Sequence, residues 1–368
     1  MLVTESVLAA CFAAGCRPAE AGEFTRRAFI YGKMSLSQAE DLGALLEAKT
    51  RGQLLLSRGG MAGHLAREIR AVYEGLRHIL ASVYAKIDFP DEDLATLEEK
   101  EMLAILTDAK EKLLSLEKTY KVGHAVREGI KTVICGSANA GKSSLYNRIV
   151  GRDAAIVTDI EGTTRDVLEQ TAALGKVTIL LCDTAGLRQT DDRVESIGIE
   201  RSRDAMAEAE LILAVFDLSK PLSEDDEMLI GELSGRSDVI AVLNKCDSPN
   251  FSDSAAEMIS KNFKNSIRLS AKTGAGMEDL VSITERLFDC GDIDLSCDAI
   301  VSGARQHASI IRAIDHIASA TKALSLGLTV DLCGTDIECA MAALGEIDGR
   351  EVTEDIVSDI FSHFCVGK

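Results

Sequence analysis

The chain has no tryptophan, four prolines in 368 residues, and aromatic side chains at only 4 % of positions. So few prolines exclude a proline-rich linker and leave long stretches without a helix breaker. No run of 18 or more apolar residues occurs, so no membrane-spanning helix is expected. Ten cysteines are present without a CxxC pair, and Cys135 and Cys182 lie inside apolar runs. That spacing argues against a zinc ribbon or a disulfide framework and for buried thiols in a reducing cytoplasm. The N-terminus, MLVTESVLAACFAAGC, lacks a basic first segment and carries Glu5. A secretory signal ending at Cys16 therefore fits less well than an amphipathic helix, with Leu2, Val3, Val7, Leu8, Cys11 and Phe12 on one side, stopped at Gly15. Basic residues are also in deficit: 40 Lys and Arg against 59 Asp and Glu, a formal charge of −19. A surface that coats nucleic acid generally is excluded. The charge is uneven, with nine basic against seven acidic residues over 1–70 and five against thirteen over 291–368. Any polyanion contact is expected on a local patch, nearer the N-terminal part.

What is present suffices for two or three domains, with 46 % hydrophobic and 27 % charged residues. Residues 35–125 carry helical periodicity, interrupted at IDFPDEDL (87–94), and Ser37 followed by Glu40 reads as a capping box. Four apolar runs follow: TVICG (132–136), VTILLCD (177–183), LILAVFD (211–217) and DVIAVLNK (238–245). Each leads through a loop into a helical stretch, the alternation of a mostly parallel α/β sheet. Residues 298–368 return to helices. The expected fold is an α/β P-loop domain, at about 126–290, inserted into an α-helical domain made of 35–125 and 291–368. Residues 1–34 stand apart as a partial N-terminal segment.

Chemistry concentrates in GSANAGKS (136–143), DTAG (183–186), NKCD (244–247) and SAK (270–272), in that order. A glycine-rich loop opening a helix presents backbone N–H groups to phosphates. Gly136, Asn139, Ala140, Gly141, Lys142, Ser143 and Ser144 form that cradle, with Lys142 for the β/γ-phosphates and Ser143 for Mg²⁺. Asp183 closes a strand where a carboxylate can hold the magnesium shell; Thr184, Ala185 and Gly186 follow, Gly186 offering its amide to the γ-phosphate. Asp247 can accept from both the ring N–H and the exocyclic amine of guanine, which adenine cannot supply. Asn244 and Lys245 brace that loop, and Ser270, Ala271 and Lys272 close over the base. Singly, each motif reads equally well as a glycine turn or a solvated acidic loop; together and in order they read as a GTP site.

Leu187 follows DTAG, where many small GTPases place a glutamine that orients water. Glu195 is the best substitute, with Arg188 nearby, although its spacing also suits a surface-helix carboxylate. In TDIEGTTRD (158–166), Thr164 can complete the magnesium site, and Arg165 is the only cation.

GxxNxGKSSLxNxxxG, TDIxGTTRD, DTAGLR…VExxGIERS and NKxD, with GEFTRRAF at 22–29, IDFP at 87–90 and a terminal CVGK, together resemble the MnmE (TrmE) family of tRNA-modification GTPases. The resemblance covers essentially the whole chain. It implies that Asn139 coordinates potassium, that Thr158, Ile160 and Thr163 lie in a potassium loop, and that Glu195 is catalytic, with Arg165 in the same switch. A bound monovalent cation then takes the place of an arginine finger. It further implies G-domain homodimerisation with GTP and K⁺, a tRNA substrate modified at carbon 5 of its wobble uridine, an FAD-dependent MnmG-type partner and a one-carbon tetrahydrofolate. Cys365 and Lys368 of the CxGK ending enter as functional residues, Cys365 as nucleophile or acid; without the family, Cys365 reads as a small apolar residue. The sequence departs from the family at Ala138, at Glu161 in the potassium loop, and in having only about 30 residues before the helical part, without the folate domain's opening strands. A truncated or degenerate N-terminus is the expectation. The rival readings are a GTP-binding switch or RNA/ribosome assembly factor without base-modification chemistry, and a helical remnant that has lost turnover.

Overall fold

The computed structural model describes residues 2–89, 96–152, 169–182, 205–326, 330–362 and 364. The chain divides into two compact units, one of residues 1–46, 57–117 and 304–368, the other of 47–56 and 118–303.

The second unit is built on a sheet of order β2-β3-β1-β4-β5-β6. Its strands are β1 Ile130–Cys135, β2 Glu169–Leu174, β3 Val177–Cys182, β4 Leu211–Asp217, β5 Val239–Asn244 and β6 Asn265–Arg268. β1 pairs in parallel with β3 and β4, β4 with β5, and β5 with β6; β2 alone is antiparallel, on β3. Every residue of β4 and β5 is buried, the signature of central strands covered on both faces. Alternate residues of β4 serve opposite faces. Leu211, Leu213 and Val215 join Ile134, Leu145, Ile179, Val242 and Leu280 in one core, while Ile212, Ala214 and Phe216 join Val133, Ala241, Ile259 and Phe263 in the other. The four apolar runs are thus strands, as expected. The edge strands β2 and β6 were not foreseen, because neither carries an unbroken apolar run.

Helices of this unit include α7 Tyr120–Arg127, α8 Lys142–Arg152, α9 Glu224–Leu233, α10 Asp253–Asn262 and α11 Met277–Leu287. Leaving β1, the chain goes to β3 on one side and, later, to β4 on the other. The loop after β1 therefore lies at a topological switch point, outside the carboxyl ends of the strands, where α/β sheets bind ligands.

The first unit is helical: α1 Leu2–Ala13, α2 Glu23–Ile30, α3 Leu36–Glu47, α5 His64–Asp88, α6 Glu99–Lys118, α12 Ala304–Ser325, α13 Val330–Asp348 and α14 Glu354–Ser362. Helix α4 Arg51–Met61 contributes residues to both units. Buried positions in α5 fall at Leu65, Ile69, Val72, Leu76, Ile79 and Val83, and in α6 at Met102, Leu106, Ala109, Leu113 and Leu116. Both alternate steps of four and three, the 3.5-residue period of helices packed nearly in line. Polar groups add specificity: Glu40 takes a bidentate pair from Arg305, at 3.0 Å to each oxygen, and a 3.1 Å bond from Gln306.

Two expectations need correction. The capping box at the start of α3 is Ser35–Gln38, not Ser37–Glu40: Ser35 Oγ accepts from Gln38 N at 3.2 Å, and Gln38 Oε1 accepts from Ser35 N at 2.9 Å. Ser37 is buried within the helix. Helix α1 does form, with Gly15 at φ +91°, but the side chains of 3–13 are all exposed among the described residues. Its apolar residues have no core to enter there.

Candidate GTP site

The loop from Gly136 to Lys142 joins the end of β1 to the start of α8. Three of its residues have positive φ: Gly136 at 146°, Asn139 at 62° and Gly141 at 103°. A Cβ on Gly136 would lie 2.2 Å from the Val215 carbonyl oxygen, and one on Gly141 would lie 2.1 Å from Asn244 Nδ2. Glycine is required at both by close approach as well as by conformation. Asparagine is among the few non-glycine residues that accept the left-handed region, which suits it to position 139. Lys142 Nζ donates to the carbonyls of Gly136 and Ser137 at 2.9 and 2.8 Å, curling over its own loop. Burial lowers the Lys142 ammonium below its ordinary value. The Ser137 hydroxyl is buried without a hydrogen-bond partner. An orphaned hydroxyl in a loop that opens a helix fits a phosphate-bearing ligand. Ser143 and Ser144 are exposed on the first turn of α8.

Asn244, at the end of β5 and only 2 % exposed, fastens two loops at once. Its Nδ2 donates to the Ala140 carbonyl at 2.7 Å, and its Oδ1 accepts from Ala271 N at 3.0 Å. The phosphate loop and the 270–272 loop are thus held by one amide. Lys245 takes φ +64° and donates to Asp217 Oδ2 at 2.7 Å. Burial pushes the Asp217 carboxyl up, yet hydrogen bonds from Lys245 and Ser219 outweigh it and hold the group below its ordinary value. Asp247 is exposed, and a hydrogen bond from the Ser270 hydroxyl holds its carboxyl below the usual range. It is therefore a carboxylate at neutral pH, able to accept two N–H bonds from one base edge. Ser270 is fully buried and also caps the next turn, accepting from Thr273 N at 3.1 Å. Lys272 is exposed.

Sequence reasoning missed two supporting residues. Asp217 ends the apolar run of β4, and an acidic residue at the carboxyl end of a buried strand was the available signal. Arg148, on α8, donates from Nε to the Ala271 carbonyl at 3.2 Å and from Nη2 to the Lys272 carbonyl. A cleft of about 480 Å³ opens here, lined by Ser144, Asn147, Arg148, Ala271, Gly274 and Met277. Burial pushes the thiol of Cys135, directly before the phosphate loop, up to about 12, which disfavours the reactive thiolate.

The structure thus gathers Gly136, Ala140, Gly141, Lys142, Asn244, Lys245 and Ala271 around one strand-end crevice. Asp183, Thr184, Ala185, Gly186, Thr158, Ile160, Glu161, Thr163, Thr164, Arg165, Leu187, Arg188, Glu195, Cys365 and Lys368 lie outside the described residues.

Comparisons with known proteins identify the family. The model of the MnmE helical domain matches residues 36–365, and that of the GTP-binding protein TrmE N-terminus matches residues 1–33. The tRNA modification GTPase MnmE of Thermoanaerobacter sp. (strain X514) is 38 % identical over 368 residues, all of this chain and 80 % of the relative. The protein of the same name from Lactococcus lactis subsp. lactis (strain IL1403) is 39 % identical over 367 residues, 100 % of this chain and 79 % of the relative. Among solved structures, the G domain of the T. maritima FeoB iron transporter is 26 % identical and covers 44 % of this chain and 97 % of its own, at a TM-score of 0.32, too low to bear on the fold. The identity along the full chain, with two family models placed end to end, assigns this protein to the MnmE family of tRNA modification GTPases.

Proposed function

We propose that this protein hydrolyses GTP and uses the cycle in modifying carbon 5 of the tRNA wobble uridine. The observation that carries the reading is the single Asn244 amide clasping the phosphate loop and the 270–272 loop, beside an exposed Asp247 carboxylate. That arrangement sets phosphate and guanine recognition at a fixed separation. The relatives named for tRNA modification extend along the whole chain, which supports the substrate class.

Residues 126–290 act as the GTPase domain, between helical segments 35–125 and 291–368 in sequence, with 1–34 belonging to an N-terminal domain. The donors present fit hard cations, all being oxygens. Ser143, Thr164 and Asp183 would hold Mg²⁺; Asn139, with Thr158, Ile160 and Thr163, would hold K⁺. The cation supplies positive charge where the γ-phosphate leaves. Glu195 orients the attacking water in place of the missing glutamine, Arg165 belongs to the same switch, and Lys368 belongs to the terminal motif. With GTP and K⁺ bound, two G domains would pair. Cys365 serves the uridine chemistry, carried out with an MnmG-type FAD protein and a one-carbon folate in the cytoplasm.

The test is nucleoside analysis of tRNA from cells whose own family member is deleted and replaced by this chain. Wild type restores the modified wobble uridine. Cys365→Ser abolishes it while GTP turnover persists, and Glu195→Ala lowers turnover roughly a hundredfold with nucleotide affinity unchanged. Intact modification in Cys365→Ser cells would favour a GTP switch without base chemistry.

A further inference from the structure

Within the helical unit, three turns converge on a cleft of about 640 Å³. One runs from α2 to α3 through Gly32, Lys33 and Ser35; the second, Ala62–Gly63, opens α5; the third, Asp348–Arg350, follows α13. The cleft is built rather than incidental. Gln38 Nε2 donates to the Met61 carbonyl at 2.9 Å, tying the first turn to the second. Gly349 takes φ +91°, and a Cβ there would sit 2.5 Å from the Phe29 ring, so only glycine lets the third turn lie on this wall.

Its lining is cationic in a chain that is strongly acidic overall. Lys33, Arg67, Arg70 and Arg350 face it against a single carboxylate, Asp348. Asp348 is engaged by Arg350 at 2.7 Å, and the Arg350 guanidinium lies over Tyr73, 4.3 Å from the ring centre. Arg67 is held over the start of α5 by bonds to the Gly63 carbonyl, at 3.4 Å, and to His64 Nδ1. Lys33 and Arg70 are exposed and have no carboxylate partner among the described residues. Helix α5 begins at the cleft with no side-chain cap, which adds the positive end of its dipole. The wall continues into α2, where Phe24 and Tyr31, 61 % and 69 % exposed, flank exposed Arg27 at three- and four-residue spacing on one helical face. Cations interleaved with open aromatic faces suit a single-stranded or looped nucleic acid, whose phosphates pair with arginine and whose bases stack.

We propose that this cleft and the adjoining face of α2 bind the phosphate backbone of the RNA substrate. The inference rests on the tRNA reading above. It accounts for how a chain of charge −19 engages a polyanion: contact is confined to one patch, and the acidic remainder repels non-specific RNA.

The experiment measures binding of a fluorescent tRNA transcript to the full chain over a salt series, using wild type, the double variant Arg67→Gln/Arg70→Gln, and Lys100→Glu on α6 as a charge-matched control outside the cleft. GTP turnover of each variant checks that the fold is intact. The expected result is affinity lower by roughly tenfold or more in the double variant, with the salt slope reduced by about two. Lys100→Glu should stay within about twofold of wild type. Equal binding by wild type and double variant overturns the cleft assignment and leaves the tRNA reading standing. So does an equal loss in Lys100→Glu, which would mean that bulk charge alone decides. Wild type that fails to bind tRNA at low salt overturns both.

Discussion

On the proposed reading, Asp247 selects the base. Its carboxylate, kept ionised by the Ser270 hydroxyl, can only accept hydrogen bonds, and guanine supplies two donors on one edge. Asp247→Asn turns one acceptor into a donor. GTP affinity should fall by roughly a hundredfold, while xanthosine triphosphate, which offers a carbonyl in place of the amine, gains. Titration calorimetry with both nucleotides checks this. Asp217 makes a separate prediction about pH. Its folded-state value lies below its unfolded one, so its contribution is complete above about pH 4, the unfolded carboxylate value, and is lost as pH falls through the folded value. Asp217→Asn should therefore be less stable than wild type by about 1–2 kcal/mol at neutral pH. The gap should close on acidification, as read by urea unfolding at several pH values.

Among elements, the four strands β1, β3, β4 and β5 were legible because both of their faces are buried and the sequence shows it as continuous apolar runs. The edges were not. Glu169–Leu174 needs few large side chains because it pairs on one side only, and Asn265–Arg268 is four residues long. Helix α4, RGQLLLSRGGM, falls inside the helical stretch 35–125 despite its glycines: a Cβ on Gly52 would strike the Lys176 carbonyl and one on Gly60 the Asp41 carboxylate. These glycines serve close packing, which periodicity cannot reveal. The start of α3 shows how near two signals can stand: S-x-x-E at 37–40 and S-x-x-Q at 35–38 overlap, and both directions of the reciprocal bond form only in the second. Ser35→Ala should accordingly destabilise the chain by about 1 kcal/mol, measured by thermal or urea unfolding.

At the scale of the whole molecule, the loops of the proposed GTP site were legible because short motifs at strand ends carry them. The braces were not: Arg148 and Asp217 act through carbonyls and a lysine that lie close only once the sheet has formed. The two units divide the chemistry. The sheet unit holds the nucleotide loops, and the helical unit holds the cationic cleft and the residues leading to the CxGK ending. On the proposed reading a cation and Glu195 stand in for the usual arginine finger and glutamine, and Asn139 lies in the phosphate loop at positive φ. The most direct measurement is the GTP hydrolysis rate of the full chain in KCl and in NaCl at equal ionic strength, alongside Asn139→Ala. The account predicts turnover roughly tenfold or more faster in potassium, an advantage that Asn139→Ala abolishes. Equal rates in the two salts, or a potassium advantage untouched by Asn139→Ala, would contradict it.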